Sequence, residues 1–352
     1  MQIINVGLIG FGLAGRAFHA QVISRVPGLR LAAILQRHGD EASAAYPDAT
    51  IVRSSSELLA IPDLRLIVIA TPNDSHYALA QECLAAGKDV VVDKPFTVTL
   101  RDAISLVEQA KKVGRLITVF QNRRFDGDFQ SIQEVLRSGV LGRVVYFETN
   151  YDRYRPKLRE NAWREASRAG SGIFFDLGPH LIDHALSLFG IPVAVTADIR
   201  AQRNSALVDD AFTITLHYSG GMRAQLSSIM LAAAPRPRFI LYGTEGAFVR
   251  QHFDAQEERL RCGTTLGSDA WTTEPEEKWS VLSVAEGDTI SHRHVPPGPG
   301  DYRAFYANVR DAMLGQAELT VTPQQALEVM RALELGRESS LRGCALPWPK
   351  ND

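Results

Sequence analysis

The chain has 352 residues, 45% of them hydrophobic and 22% charged, with a formal net charge of -2 at pH 7. That length exceeds what one compact core usually reaches and predicts two domains, while the near-neutral balance excludes a global field that would gather nucleic acid or an anionic membrane. Cys83, Cys262 and Cys344 are odd in number, far apart and outside any Cys-x-x-Cys spacing, which argues against a disulfide framework or zinc knuckle and for a reducing compartment. The first residues lack a basic leader with an apolar stretch and cleavage site, and no apolar run approaches the roughly 18 to 20 residues that span a bilayer. The expectation is a cytoplasmic protein whose partner is a small molecule, with no nucleic acid and no membrane.

Up to about residue 122 short apolar runs alternate with helix-like segments, the rhythm of a parallel sheet covered on both faces. The strands expected are Ile3 to Ile9, Leu31 to Leu35, Leu66 to Ile69, Val90 to Val92 and Leu116 to Phe120, nearly continuous in Val, Ile and Leu. Ser54 with Glu57 fits a capping box, and the segments ending at Ala86 and Val113 meet Gly87 and Gly114. After Phe125 one helix ends near Gly139. Alternating stretches then follow at Val144 to Arg153, Phe212 to Tyr218, Met222 to Met230 and Arg238 to Tyr242, which predict an antiparallel sheet. Its Phe212 to Met230 part is expected to offer an apolar face to a twofold partner. Asp254 to Gly300 is polar and dotted with Gly and Pro, so it reads as irregular, and helices close the chain near Tyr302 to Leu314 and Gln324 to Leu341. The fold class is therefore α/β: a doubly wound parallel sheet in residues 1–122, followed by an α+β domain with a large, mainly antiparallel sheet in 123–352.

Gly10-Phe11-Gly12-Leu13-Ala14-Gly15 stands directly after the first strand and before a helix-like segment. In that context the first glycine permits the tight turn, the second lets the backbone approach a pyrophosphate, and the third lets helix and strand pack closely. The reading is a Rossmann dinucleotide site. Where an acidic residue would hold a ribose diol, the second strand ends in Gln36 followed by Arg37. A neutral amide beside a guanidinium accepts a 2'-phosphate that a carboxylate would repel, so NADP is favoured over NAD.

Ligands bind an open parallel sheet at the carboxyl ends of its strands. Two such ends carry Thr71, Asn73 and His76, candidates for contact with ribose or nicotinamide, and Asp93-Lys94-Pro95, whose proline is a candidate cis residue. Asn73 to Ser75 equally suit capping of the next helix. Lys94 brings an ammonium to the sheet edge, where it can hold and acidify a substrate hydroxyl. In the second domain Asp176, His180, Asp183 and His184 share one stripe if helical. His180 suits general acid and base work, with Asp176 one turn earlier to orient it. Pro179 belongs in a first helical turn, which leaves Asp176 just outside the helix. His-x-x-Asp-His has the look of a zinc pattern, yet no supporting Cys or Glu set is visible, so no metal is expected.

Together these motifs resemble the Gfo/Idh/MocA family of glucose-fructose oxidoreductase and inositol dehydrogenase over nearly the full length. Its marks are the glycine loop, a Glu-Lys-Pro triplet that stands here as Asp93-Lys94-Pro95, and Asp-x-Gly-x-His-x-x-Asp at Asp176, Gly178, His180 and Asp183. Gln121 to Asp126, and Phe147-Glu148 through Asp152-Arg153-Tyr154-Arg155-Pro156, are similar to the bacterial subgroup that includes NADP-dependent scyllo-inositol dehydrogenase. The resemblance implies catalysis by Lys94, Asp176 and His180, cofactor contact by Asp93, Lys94, Pro95 and Asn122, and a polyol pocket lined by Arg123, Arg153 and Trp163 beside the catalytic set. It also implies a homodimer or homotetramer. The family further contains sugar lyases and glycosidases that oxidise transiently, and catalytically idle sugar sensors, so fold alone does not settle activity.

Overall fold

The computed structural model describes residues 2–159, 162–263 and 274–349, and they fall into two compact units. The first comprises the described residues of Met1–Asn122, Gln256–Trp271 and Asp301–Leu327; the second, those of Arg123–Ala255, Thr272–Gly300 and Glu328–Asp352. The first segment of the first unit ends at Asn122, and two later segments, within 256–271 and 301–327, belong to the same unit.

The first unit is built on six strands: β1 (Ile4–Ile9), β2 (Leu29–Leu35), β3 (Thr50–Val52), β4 (Leu64–Ile69), β5 (Asp89–Val92) and β6 (Ile117–Val119). All pair in parallel in the order β3-β2-β1-β4-β5-β6. Strand order reverses between β1 and β4, which places the ligand crevice at their carboxyl ends. Val90, Val91 and Val92 are wholly buried, as are Ile67 and Val68. Each such side chain contributes about 1.5–3 kcal/mol relative to exposure, which is why these strands read as unbroken apolar runs. β3 went unread because three residues, one exposed, carry no period. The helix Ser55–Leu59 starts as expected: the Ser54 hydroxyl accepts the Glu57 N–H at 3.2 Å, and the Glu57 carboxylate takes the Arg53 N–H at 2.9 Å.

The second unit carries β7 (Val144–Asn150), β8 (Ala194–Arg200), β9 (Ala211–His217), β10 (Arg223–Ile229), β11 (Phe239–Gly243), β12 (Gly246–Arg250), β13 (Ser280–Glu286), β14 (Thr289–Val295) and β15 (Leu346–Pro347). They form one nine-stranded sheet, β14-β13-β12-β11-β7-β10-β9-β8-β15, antiparallel except where β7 and β10 run parallel. Part of the region expected to be irregular is thus the β13–β14 hairpin. Its second strand, Thr-Ile-Ser-His-Arg-His-Val, is exposed along most of its length and shows no apolar alternation. Residues 264–273 of that region lie outside the described part.

The helix Ile173–Phe189 packs on β9 and β10, with Phe174 and Phe212 edge to face at 5.1 Å. It covers the apolar side formed by Phe212, Ile214, Leu216, Ala224 and Leu226, while the alternate residues Thr213, Thr215, His217 and Gln225 are polar and half-buried. The apolar face expected for a twofold partner is therefore occupied from within the chain. Among the described residues no helix is long and apolar enough to cross a membrane.

Candidate active site

At the glycine loop the geometry separates the three glycines by task. Gly10 has a φ of +100°, and a Cβ there would lie 2.5 Å from the Ala70 carbonyl oxygen. A Cβ on Gly15 would lie 2.0 Å from the carbonyl oxygen of Gly10, so the helix can close on the loop only without a side chain. A Cβ on Gly12 would meet nothing within 4 Å. The first and third glycines are thus required by the fold, whereas the second borders open space of the kind a pyrophosphate occupies. The residues fit a dinucleotide. Gly12→Ala is expected to leave unfolding stability within about 0.5 kcal/mol of the parent while weakening dinucleotide binding by about tenfold or more. Gly15→Ala is expected to lose roughly 1–3 kcal/mol of stability through overpacking. Urea unfolding alongside a fluorescence titration with NADPH checks both, and equal behaviour of the two variants would remove the distinction.

Phe11 meets Tyr46 edge to face at 5.9 Å, and Leu13, in the first turn of the helix, is exposed. At the end of β2 the Gln36 amide is engaged locally: its oxygen accepts the Ala42 N–H at 2.9 Å and its nitrogen donates to the Glu41 carboxylate. Backbone hydrogen bonding, then Gln36, holds the Glu41 carboxyl below its ordinary range. Arg37 is exposed. Sequence reasoning missed Arg53, whose guanidinium donates to the carbonyls of Gln36 at 2.8 Å and Gly39 at 2.7 Å and so braces the loop that carries Arg37. Its signal was its place directly after β3, the strand that went unread.

At the end of β4, Asn73 opens a single helical turn, Asn73–Ser75, and the Ser75 hydroxyl lies 2.7 Å from both the Thr71 Oγ1 and the Pro72 carbonyl. His76 is wholly buried, with Nδ1 2.9 Å from the Pro95 carbonyl and Nε2 3.0 Å from the Thr71 carbonyl. It ties the two strand ends together instead of presenting a ring nitrogen to a ligand. Burial drives its pKa down, against the pull of Asp93 and the backbone carbonyls. At the end of β5 the Lys94–Pro95 peptide is cis, and Asp93 turns inward, its Oδ1 accepting the Lys94 N–H at 2.8 Å. Asp93 thus acts on the lysine's backbone. Asn122, 8% exposed, closes the unit's first segment.

In the second unit Gly172, with φ +95°, precedes the helix Ile173–Phe189, and Asp209 caps that helix from a distant loop: its carbonyl accepts the Ile173 N–H at 2.9 Å and its carboxylate the Phe174 N–H at 2.7 Å. Burial raises the Asp209 pKa. Asp176 and His180 therefore lie inside the helix one turn apart, and Pro179 is mid-helix, which corrects the expectation of a helix starting near it. His180 is 5% exposed. The Asp176 Oδ1 accepts from Arg164 Nε at 3.1 Å, and a cleft lined by Arg153, Arg155, Arg164, Asp176, Arg203 and Asp209 opens beside it.

The remaining stripe residues are structural. Asp183 forms a buried two-point ion pair with Arg124 at 2.7 and 2.6 Å. The His184 ring stacks on Phe129 at 4.3 Å, and burial, then the nearby arginines, hold its pKa well below the usual imidazole range. Arg123 is buried, donating to Asp126 at 3.2 Å and to the Tyr151 hydroxyl at 2.9 Å, while Arg153 lies over the Tyr151 ring at 4.7 Å. Trp163 is half-buried with Arg164 stacked over it at 4.4 Å, so one indole face is already covered. Arg164 is the neighbour of Asp176 that sequence reasoning did not find, because nothing in Trp-Arg-Glu marks which helix it will meet.

Comparison with known proteins agrees with this architecture. The profile of an oxidoreductase family's NAD-binding Rossmann fold matches residues 4–121, and that of its C-terminal alpha/beta domain matches 133–344. The chain is similar to the uncharacterized oxidoreductase YdgJ of Escherichia coli, at 44% identity over 96% of each chain. It is also similar to scyllo-inositol 2-dehydrogenase (NADP(+)) IolW of Bacillus subtilis, at 33% identity over 96% of this chain and 94% of that protein. The solved structure of the YPO2259 putative oxidoreductase from Yersinia pestis superposes with a TM-score of 0.94 at 41% identity, covering 100% of this chain and 99% of that one. With both domain profiles matched on a parallel nucleotide-binding sheet followed by a large mixed sheet, the chain belongs to the Gfo/Idh/MocA oxidoreductase family.

Proposed function

We propose that the protein is an NADP-dependent dehydrogenase acting on a secondary hydroxyl of a cyclic polyol or sugar, with scyllo-inositol the first substrate to test. The observation that carries the reading is that the first unit brings a glycine loop shaped for a pyrophosphate and Lys94 to the same carboxyl edge of one sheet. The likeness to IolW supports the choice of polyol and of NADP. When bound, NADP supplies the acceptor for the carbinol hydride. The Lys94 ammonium stabilises the negative charge that develops on the substrate oxygen, His180 takes the hydroxyl proton, and Asp176 fixes the alcohol or the ring beside it. Retention of all three groups favours turnover over the idle sensor.

The test is to follow reduced-nicotinamide absorbance with scyllo-inositol, myo-inositol and glucose, each with NADP and with NAD. Turnover of scyllo-inositol with NADP and little with NAD is expected. Silence with every pair, despite measurable NADPH binding, would overturn the reading in favour of sugar sensing. Cofactor choice has its own check. Arg37→Asp is expected to weaken NADP binding by at least about tenfold, because a carboxylate then faces the 2'-phosphate, while NAD affinity changes little. Equal loss for both cofactors would end the argument for a phosphate contact.

A further inference from the structure

Two buried side chains of the first unit, His19 and Tyr306, form with the half-buried Asp93 a line that ends at Lys94, and the chemistry above gives the two buried ones no task. His19 is wholly buried on the helical stretch after the glycine loop, within a turn, Gly15–Ala20, that is widened to π geometry. Such widened turns recur at functional sites. Its Nδ1 lies 2.6 Å from the hydroxyl oxygen of Tyr306, itself wholly buried on the helix Arg303–Met313, and its ring lies 4.3 Å from that of Phe120. Its Nε2 has no hydrogen-bond partner among the described residues and lies 3.7 Å from Asp93 Oδ2. The other carboxylate oxygen of Asp93 holds the Lys94 N–H at 2.8 Å.

The directions of donation follow from the ends of the line. Burial, then the Asp93 charge, pushes the Tyr306 phenol well above its ordinary range, so it keeps its proton and donates. Burial pushes the Asp93 carboxyl up, but His19, Lys94 and His76, the charged and titratable groups that face it, together hold it below its usual value. It can therefore only accept. A ring between a donating hydroxyl and an accepting carboxylate satisfies both when its proton sits on Nε2.

We propose that Tyr306, His19 and Asp93 are a positioning chain for Lys94, in which O–H donates to Nδ1, Nε2–H points at Oδ2 and closes on it when the glycine loop is occupied, and Oδ1 fixes the lysine's backbone. The helix that bears His19 begins at the loop, so an anion at its first N–H groups acts on the same rigid element that carries the ring. The chain makes the lysine's placement depend on cofactor occupancy. It rests on the reading of Lys94 as the group that meets substrate, and it deepens that reading by adding residues that act through the lysine.

Long-range proton–nitrogen spectra of histidine-labelled protein test it without turnover, with the His19 signals assigned by their loss in His19→Gln. The expected result is the Nε2–H tautomer in the free protein, and a downfield move of that proton on saturation with NADP that Asp93→Asn abolishes. A proton on Nδ1, or an Nε2–H resonance that does not move although NADP binds, overturns the chain. Tyr306→Phe keeps the ring volume and is expected to shift the Nδ1 nitrogen alone. An unchanged Nδ1 resonance in that variant counts equally against the chain. If a polyol is turned over, Asp93→Asn is expected to lower kcat by about tenfold or more with KM for the polyol within about threefold, and Asp93→Glu to recover most of the loss. A loss confined to KM would refute the positioning role. If no polyol reacts, the proposed substrate fails, while the spectra still decide the chain.

Discussion

Replacing Lys94 with alanine is expected to lower kcat with scyllo-inositol by about a hundredfold or more, roughly 2.7 kcal/mol of transition-state stabilisation, while NADP affinity stays within a few fold. The asymmetry comes from where the lysine sits. It follows β5 at the carboxyl edge of the sheet, half-buried, and its backbone N–H is held by Asp93. Removing the side chain therefore leaves the strand end in place. In the proposed reading the pyrophosphate is held at the glycine loop, which the substitution does not touch. In the proposed mechanism what is lost is a positive charge near the substrate oxygen, and such a charge matters most when negative charge develops there, so kcat falls more than KM rises. Steady-state rates with NADPH fluorescence titration on the same preparation check both halves. Undiminished turnover would take Lys94 out of the mechanism, and a parallel collapse of cofactor affinity would make it a binding residue instead.

The parallel sheet was legible because strands buried on both faces must be apolar throughout, and Val90 to Val92 could hardly be read otherwise. The glycine loop was legible for a related reason: a Cβ would stand 2.0 Å from a backbone oxygen at Gly15 and 2.5 Å at Gly10, which leaves no alternative residue. Local rules failed where partners are distant in sequence. His19 reads as one more residue of an amphipathic helix, and its meaning depends on Asp93 and Tyr306, residues 74 and 287 positions away. The start of the helix Ile173–Phe189 was misjudged for the same reason. Its cap is Asp209, which no window around Pro179 contains, and with that cap supplied the proline is carried in mid-helix. Edge strands such as β14 lack the one-sided burial that produces alternation, so they look like loops.

Asp183 shows how a motif can mix chemistry with architecture, and its replacement is expected to have the second large effect, on stability. Asp183→Asn should cost about 3–5 kcal/mol, because Arg124 would remain charged inside the unit without its carboxylate. The pair is 3% and 7% exposed and bonded at two points, so water cannot replace the lost oxygen charge cheaply. Urea unfolding followed by tryptophan fluorescence checks it, since three of the four tryptophans, Trp163, Trp279 and Trp348, belong to the second unit. The double replacement Arg124→Met with Asp183→Leu is expected to recover a large part of the loss, since removing both charges also removes the cost of burying them. The opposite outcome is equally informative. If Asp183→Asn unfolds like the parent yet loses turnover, the last aspartate of Asp-x-Gly-x-His-x-x-Asp belongs with Asp176 and His180 in the chemistry, and the buried pair with Arg124 is a means of aiming it.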